Sequence, residues 1–188
     1  MSNALLAQVD GYLHAMVSGA LVALAVYALT YRLRMSRLAK RGLRSGSARE
    51  TVLLLFAMYV CGMALLTLTP MDFDLIEVLK TGWDGPFFQL GRVSLEPLKS
   101  LRYSHLIFWG NVVMFLPFGF LPAVLWRGSR WYKALAVALC VPAVIESWQF
   151  FIGRTFDVDD LLLNAVGVLL GWLLWLALKK PTLTCEER

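Results

Sequence analysis

Charged side chains and cysteines are both scarce in this sequence of 188 residues. Only 16% of the residues are charged, against roughly 25% in an ordinary soluble domain, whereas 59% are hydrophobic. Because so few charges could not cover the surface of a globule of this size, a water-soluble domain is excluded. Three cysteines do not make a disulfide scaffold, and we expect Cys61 and Cys140, which lie inside apolar runs, to be buried.

Five apolar runs are long enough to cross a bilayer as helices, which takes about 20 residues each. Their central stretches hold almost no charge, and they cover residues 13–31, 51–69, 104–126, 131–152 and 158–178. Residues 1–12 contain no Lys or Arg, so we expect no cleavable signal peptide. The sequence therefore predicts an all-α, polytopic helical membrane protein with about five transmembrane helices.

The basic residues alternate between the two sides of these spans. Seven of the 18 Lys and Arg residues lie in the loop 32–50, whereas the segment 70–103 has four against five acidic residues. Because short basic loops stay in the cytoplasm, thirteen basic residues on one side and five on the other predict an outer N-terminus and a cytoplasmic C-terminus. The net charge of +5 is thus a topology signal, and no nucleic-acid partner is expected.

We expect three parts along the chain: an N-terminal transmembrane helix with its basic loop (1–50), a membrane domain (51–178) and a cytoplasmic tail (179–188). The segment 70–103 is predicted to lie in the outer interface, where Asp72 or Asp74 caps a short helix. Two interpretations stay open for this segment. It is an amphipathic loop without a ligand role, or a lid over a site that opens outward.

Glu146 is the clearest ionisable residue at membrane depth. It precedes Ile152 by six residues, which places it roughly 9 Å below the outer boundary of the fourth span. Gln149 follows on the same face, and Pro142 is expected to kink the helix. Because a charge inside a span costs at least ~2.5 kcal/mol on insertion scales, Glu146 is either a structural carboxyl satisfied by a neighbouring span or a ligand or catalytic group.

A polar stripe opens the fifth span. Its members recur every three or four residues and therefore share one helix face: Asp157, Asp160, Asn164, Gly167 and Gly171. The two glycines form a GxxxG pattern, which lets a second helix approach closely, either within the chain or in a homo-oligomer. Helix capping alone explains Asp157, and Asp159 points about 100° away from Asp160. Capping does not explain Asn164.

Polar residues from three spans map to one depth in the predicted outer leaflet. They include one basic residue among carboxylates and comprise Asn111, Glu146, Gln149, Arg154, Asp157, Asp160 and Asn164. Lipid does not tolerate such groups unpaired, so the pattern predicts a single outward-facing polar pocket. Asn111 lies in the third span, where Pro117 and Pro122 should bend or break the helix. His14 and His105, at the same end, are interpreted as interfacial residues.

Three stretches together resemble the VanZ-like family of bacterial membrane proteins: NVVMFLPFGF at 111–120, IESWQ at 145–149 and GRTFDVDDLLLNAVG at 153–167. The resemblance covers residues 65–178 and departs from the family at 94–98, which read SLEPL where the family usually has Asn-Leu-x-Pro-Phe. It implies a place in the bacterial cell membrane and a link to resistance to the glycopeptide teicoplanin, without a settled biochemical activity. The family's residue pattern carries over to the seven polar residues above and to Asp159.

Three functions stay open. The first is a non-enzymatic protein that binds or shields an envelope lipid or a lipid-linked cell-wall precursor, with Arg154 pairing with phosphate. The second is a membrane-embedded enzyme that modifies a lipid head group, with Glu146 and Asp160 as catalytic groups, or with Asp157 and Asp160 holding a divalent cation. The third is a lipid flippase or transporter. The sequence identifies no cofactor, and it leaves the metal unknown.

Overall fold

Helices make up most of the chain. The computed structural model describes residues 3–70, 73–103, 105–126, 130–178, 181–183 and 185–187. Its helices are α1 (Asn3–Lys40), α2 (Ser47–Leu68), α3 (Leu75–Thr81), α4 (Lys99–Tyr103), α5 (His105–Leu125), α6 (Trp131–Phe151) and α7 (Val158–Ala177). Short strands also pair: β1 (Leu43–Arg44) is antiparallel to β4 (Glu186–Glu187), and β2 (Val93–Ser94) is parallel to β3 (Phe156–Asp157).

Five helices, α1, α2, α5, α6 and α7, are long and apolar enough to cross a membrane, which confirms the predicted all-α polytopic fold. The orientation of the termini stays a prediction. α1 extends well past the predicted span, to Lys40, because its basic end consists mainly of good helix formers such as Arg, Leu, Met and Ala. Its 38 residues correspond to about 57 Å of helix, which exceeds the bilayer core of about 30 Å.

The prolines do not interrupt their helices. α5 continues through Pro117 and Pro122, and α6 continues through Pro142, so the expectation that α5 breaks was wrong. In lipid no water can replace a lost helical hydrogen bond, and the chain therefore keeps all the bonds that proline leaves available. The bends expected at these positions stay predictions.

The chain forms two compact units, of which the first contains α1, α2, α3, β1 and β4. α1 and α2 approach closely at two glycines, since a Cβ added to Gly19 would lie 2.3 Å from the Cα of Gly62. A polar cluster joins the same helices near the basic end of α1. There Glu50 accepts hydrogen bonds of 2.8 Å from the Tyr27 hydroxyl and from Arg34 Nη2, and a third from Ser45 Oγ.

We expect Glu50→Ala to lower the free energy of unfolding by about 2 kcal/mol, because Arg34 and two hydroxyls lose a buried, charged acceptor. Unfolding followed by circular dichroism during SDS titration in detergent micelles measures this change. Glu77→Ala is the matched control, since Glu77 is exposed on α3 of the same unit. Equal unfolding curves for the two variants would show that the Glu50 cluster contributes no stability.

The short helix α3 has the predicted cap. Asp74 Oδ1 accepts from the backbone N–H groups of Ile76 (2.8 Å) and Glu77 (3.2 Å), whereas Asp72 lies outside the described residues. Asp74 Oδ2 is 3.0 Å from His14 Nδ1, and this hydrogen bond holds the pKa of Asp74 below its usual range. The pair therefore stabilises the fold above the ordinary Asp pKa of about 3.9, and this stability is lost as the pH falls through the lower folded value.

The second unit contains β2, β3 and α4–α7, and in it α7 packs against both α5 and α6. The backbones of α5 and α7 nearly touch: a Cβ on Gly167 would lie 2.3 Å from Val112 O, and one on Gly171 would lie 2.0 Å from Leu116 O. The close approach predicted from GxxxG thus occurs within the chain. Self-association through the same glycines stays a prediction, and α5 occupies this face in the single chain.

The sequence also predicted the burial of two cysteines and the boundaries between the three parts of the chain. Cys140 is exposed and Cys61 is half-buried, so the expected burial of both was wrong. A thiol on the surface of a membrane-spanning helix meets lipid, which is as apolar as a protein interior, and burial is therefore not required. The predicted boundaries at residues 50 and 178 stay predictions.

Candidate functional site

The polar cluster of the second unit lies at the end where α5 and α7 begin and α6 ends. We use this name for the residues predicted from the sequence together with two from α4: Lys99, Ser100, Asn111, Glu146, Gln149, Arg154, Asp157, Asp159, Asp160 and Asn164. Most of them are buried, and their hydrogen bonds connect three long helices with the segment that precedes α5.

Asp159 anchors that preceding segment. Its side chain is 0% exposed, and it accepts 2.8 Å hydrogen bonds from the N–H groups of Leu98 and Ser100, as well as one from Ser100 Oγ. Leu98 has a φ of 57°, a backbone conformation that residues other than glycine rarely adopt. Its hydrogen bond to Asp159 helps to hold it in this conformation. The hydrogen bonds of Asp159 to the described residues thus hold the fold, and its predicted role in ligand binding stays a prediction.

Asp157 connects three parts of the cluster. Its Oδ1 accepts from the N–H of Asp159 (3.1 Å), which caps α7, and its Oδ2 pairs with Lys99 Nζ. Its own N–H donates to Glu146 Oε2 at 3.0 Å. The capping role that the sequence predicted is confirmed.

The ion pair also stabilises the charged form of Lys99. Lys99 Nζ donates to Asp157 and, at 2.8 Å, to Ser94 Oγ. The hydrogen bond to Asp157 raises the pKa of Lys99 above its ordinary value of about 10.4. The pair therefore contributes stability below that value, which is lost only as the pH rises through the higher folded pKa. Lys99 stays cationic at neutral pH.

Asp160 and Asn164 occupy successive turns of the α7 face that meets α5. Asp160 Oδ1 accepts from Asn111 Nδ2 of α5, and Gly167 contacts the backbone of α5 one turn beyond Asn164. Asn164, between them, is 4% exposed, and no donor among the described residues reaches its Oδ1 atom. A buried amide oxygen without a donor costs about 1–3 kcal/mol, so this position is unusual.

Gln149 lies in the last turn of α6, and Arg154 lies on the turn between α6 and β3. The carbonyl oxygen of Gln149 accepts from the N–H of Arg154 at 2.9 Å, and Gly153 has a φ of 80° in this turn. Arg154 is half-buried and interacts electrostatically with Glu146, which is 2% exposed. The only guanidinium of the cluster is thus placed near a deeply buried carboxyl of α6.

The segment before α4 covers this turn. Gly91 donates to Phe150 O at 2.7 Å, and a Cβ on Gly91 would lie 1.6 Å from Arg154 O, so only glycine fits. The β2–β3 pairing then leads to Leu98 and Ser100 on Asp159. The later half of segment 70–103 thus lies directly over the cluster, while its predicted role as a moving lid stays a prediction.

Sequence reasoning missed Lys99 and Ser100. A signal was present, because the predicted set held four carboxylates and one cation, Arg154, and a second cation was therefore to be expected nearby. Residues 94–98 differ from the usual family sequence but still contact the cluster. Leu98 donates its backbone N–H to Asp159, and the Ser94 hydroxyl accepts from the Lys99 ammonium.

The sequence left both metal binding and catalysis open for this cluster. Among the described residues, no group of three or more His, Cys, Asp or Glu side chains is arranged to hold a metal ion. Asp157 is occupied by Lys99 and by the N-terminus of α7. Catalysis by Glu146 and Asp160, and cation binding by Asp157 and Asp160, stay predictions.

Comparison with known proteins identifies one family. The family model described as VanZ/LLP1 matches residues 16–179. This match begins within α1, well before residue 65, where the sequence motifs had placed the start of the resemblance. No curated protein and no solved structure matches the chain.

Proposed function

The chain belongs to the VanZ/LLP1 family of multi-pass membrane proteins, and from this membership and its polar cluster we propose that it binds or shields an envelope lipid or a lipid-linked cell-wall precursor. The proposed location is the bacterial cell membrane, with the cluster facing outward. The proposed ligand is held by its head group, and no chemical step is required.

One observation carries this proposal: charged and amide side chains from three apolar helices converge at a single end of the second unit. Ionisable groups at membrane depth are costly, and those retained there are by default functional. A polar head group attached to an apolar tail matches both parts of this environment. The helices contact the tail, and the cluster contacts the head group.

Arg154 is the group we assign to the phosphate. Its guanidinium presents several N–H donors in one plane, which suits phosphate oxygens, and it lies on a turn instead of inside a helix. Lys99 is the only other cation of the cluster and is engaged by Asp157. A protein that covers the head group of a cell-wall precursor would also keep a glycopeptide from binding it. This accounts for the link to teicoplanin resistance that the family resemblance implies.

The test is lipid binding by the purified protein. Native mass spectrometry with phosphatidylglycerol and undecaprenyl pyrophosphate as probes should detect bound lipid, and Arg154→Ala should lower the retained fraction about tenfold, since a charge-assisted pair with phosphate is lost. Arg92→Ala is the matched control, because Arg92 is an exposed arginine of the same unit. The proposal fails if no lipid is retained above background, or if both variants lose lipid equally.

A further inference from the structure

Asn164 provides a second, deeper polar contact that the proposed phosphate site does not use. It follows Asp160 by one helical turn, on the face of α7 that meets α5, which places it about 6 Å further along the helix axis. Its Oδ1 atom is buried and receives no hydrogen bond from the described residues. An acceptor in this state is ready for a donor that comes from outside the chain.

The charges around Asn164 indicate that this donor is a cation. The cluster holds four carboxylates and two basic side chains. Lys99 engages Asp157, and backbone donors with Ser100 satisfy Asp159. Two carboxylates are left after these contacts.

These remaining carboxylates, Glu146 and Asp160, interact electrostatically with each other. Glu146 accepts from the N–H of Asp157, and Asp160 accepts from the amide of Asn111. Arg154 also attracts Glu146, and Lys99 attracts Asp160. Like charges in a low-dielectric site repel each other, and a cation placed between them removes that cost. Even with both basic side chains counted, four carboxylates exceed two cations in the cluster.

From this juxtaposition we infer that the ligand carries a primary ammonium group, which donates to Asn164 and lies against Asp160, while its phosphate meets Arg154. The ligand class is an aminophospholipid with a phosphoethanolamine head group. A primary ammonium has N–H donors for a carbonyl oxygen, whereas a quaternary ammonium has none and is normally held by aromatic rings. The inference rests on the proposed function and specifies its ligand.

The experiment compares lipids that differ only in the head group. The wild-type protein is mixed with equal amounts of phosphatidylethanolamine, phosphatidylcholine and phosphatidylglycerol with identical acyl chains, and retained lipids are quantified by native mass spectrometry. We expect phosphatidylethanolamine to be retained about fivefold or more over either competitor, as for one additional hydrogen bond to a charged group. Asn164→Leu and Asp160→Asn should each reduce this preference to within about twofold while phospholipid is still retained.

Two controls keep the result interpretable. Ser147→Leu makes the same polar-to-apolar change at an exposed position of α6 and should keep the preference. Asp160→Asn keeps the size of the side chain and therefore tests the site without overpacking, and the wild-type comparison does not depend on any variant.

The outcomes separate the two proposals. Retention of the three lipids in equal amounts overturns the ammonium assignment and leaves the lipid-binding function in place. A preference that survives both Asn164→Leu and Asp160→Asn overturns the assignment to this site. Retention of no phospholipid overturns the ammonium assignment, and the proposed function falls as well if undecaprenyl pyrophosphate is not retained either.

Discussion

Substitution of Gly119 by alanine is expected to lower the free energy of unfolding by about 3 kcal/mol or more, because the new methyl group has no room between α5 and α7. A Cβ at this position would lie 1.8 Å from Val168 O and 2.8 Å from Trp172 N, and both atoms belong to the backbone of α7. Backbone atoms cannot rotate away as a side chain can. The two helices must separate, which also pulls Asn111 away from Asp160.

Gly110→Ala provides the matched control in the same helix. No atom lies within 4 Å of a Cβ at Gly110, so this change should raise stability by about 0.5–1 kcal/mol through the better helix propensity of alanine. SDS titration in micelles, followed by circular dichroism, measures both variants. A Gly119→Ala protein as stable as Gly110→Ala would contradict the close packing of α5 and α7.

Loss of the Asp159 side chain is the second change with a large expected effect. Asp159→Ala leaves the N–H groups of Leu98 and Ser100 and the Ser100 hydroxyl without their buried acceptor. Each of these three unsatisfied donors costs about 1–3 kcal/mol, so we expect a total loss of about 3 kcal/mol or more, or release of the segment around Leu98. Release would also free the positive φ of Leu98.

Hydrogen exchange with mass spectrometry distinguishes these results. The amides of Leu98 and Ser100 should exchange at least tenfold faster in Asp159→Ala, as expected when an opening free energy falls by more than about 1.4 kcal/mol. Glu96→Ala serves as the control, because Glu96 is an exposed carboxylate in the same segment. Unchanged protection in Asp159→Ala would mean that the buried carboxylate does not hold this segment.

The spanning helices could be predicted from the sequence because each depends only on a continuous apolar stretch of the chain. A long apolar run needs no knowledge of tertiary structure, and all five runs became helices. The ends were harder to predict, since α1 continues to Lys40 through residues that favour helix but not lipid. The break expected at Pro117 and Pro122 does not occur, because the rule that proline breaks a helix is weaker where lipid replaces water.

The candidate site was predicted as far as helical periodicity extends. The recurrence of Asp157, Asp160 and Asn164 places them on one face, and the structure pairs that face with Asn111. Lys99 and Ser100 reach the cluster because their segment returns to α7, where β2 pairs with β3. Leu98 contributes a backbone N–H, which cannot be predicted from the residue type. Contacts that depend on such a return of the chain cannot be predicted from spacing along one helix.

The central claim is that the polar cluster holds the head group of a lipid, and a structure determined by electron cryomicroscopy in nanodiscs formed from native membrane tests it most directly. We predict head-group density between Arg154 and Asn164 that continues as an acyl chain along the apolar surface of the helices. Density for ordered water alone, or a cluster closed by its own side chains in every particle class, would contradict the claim.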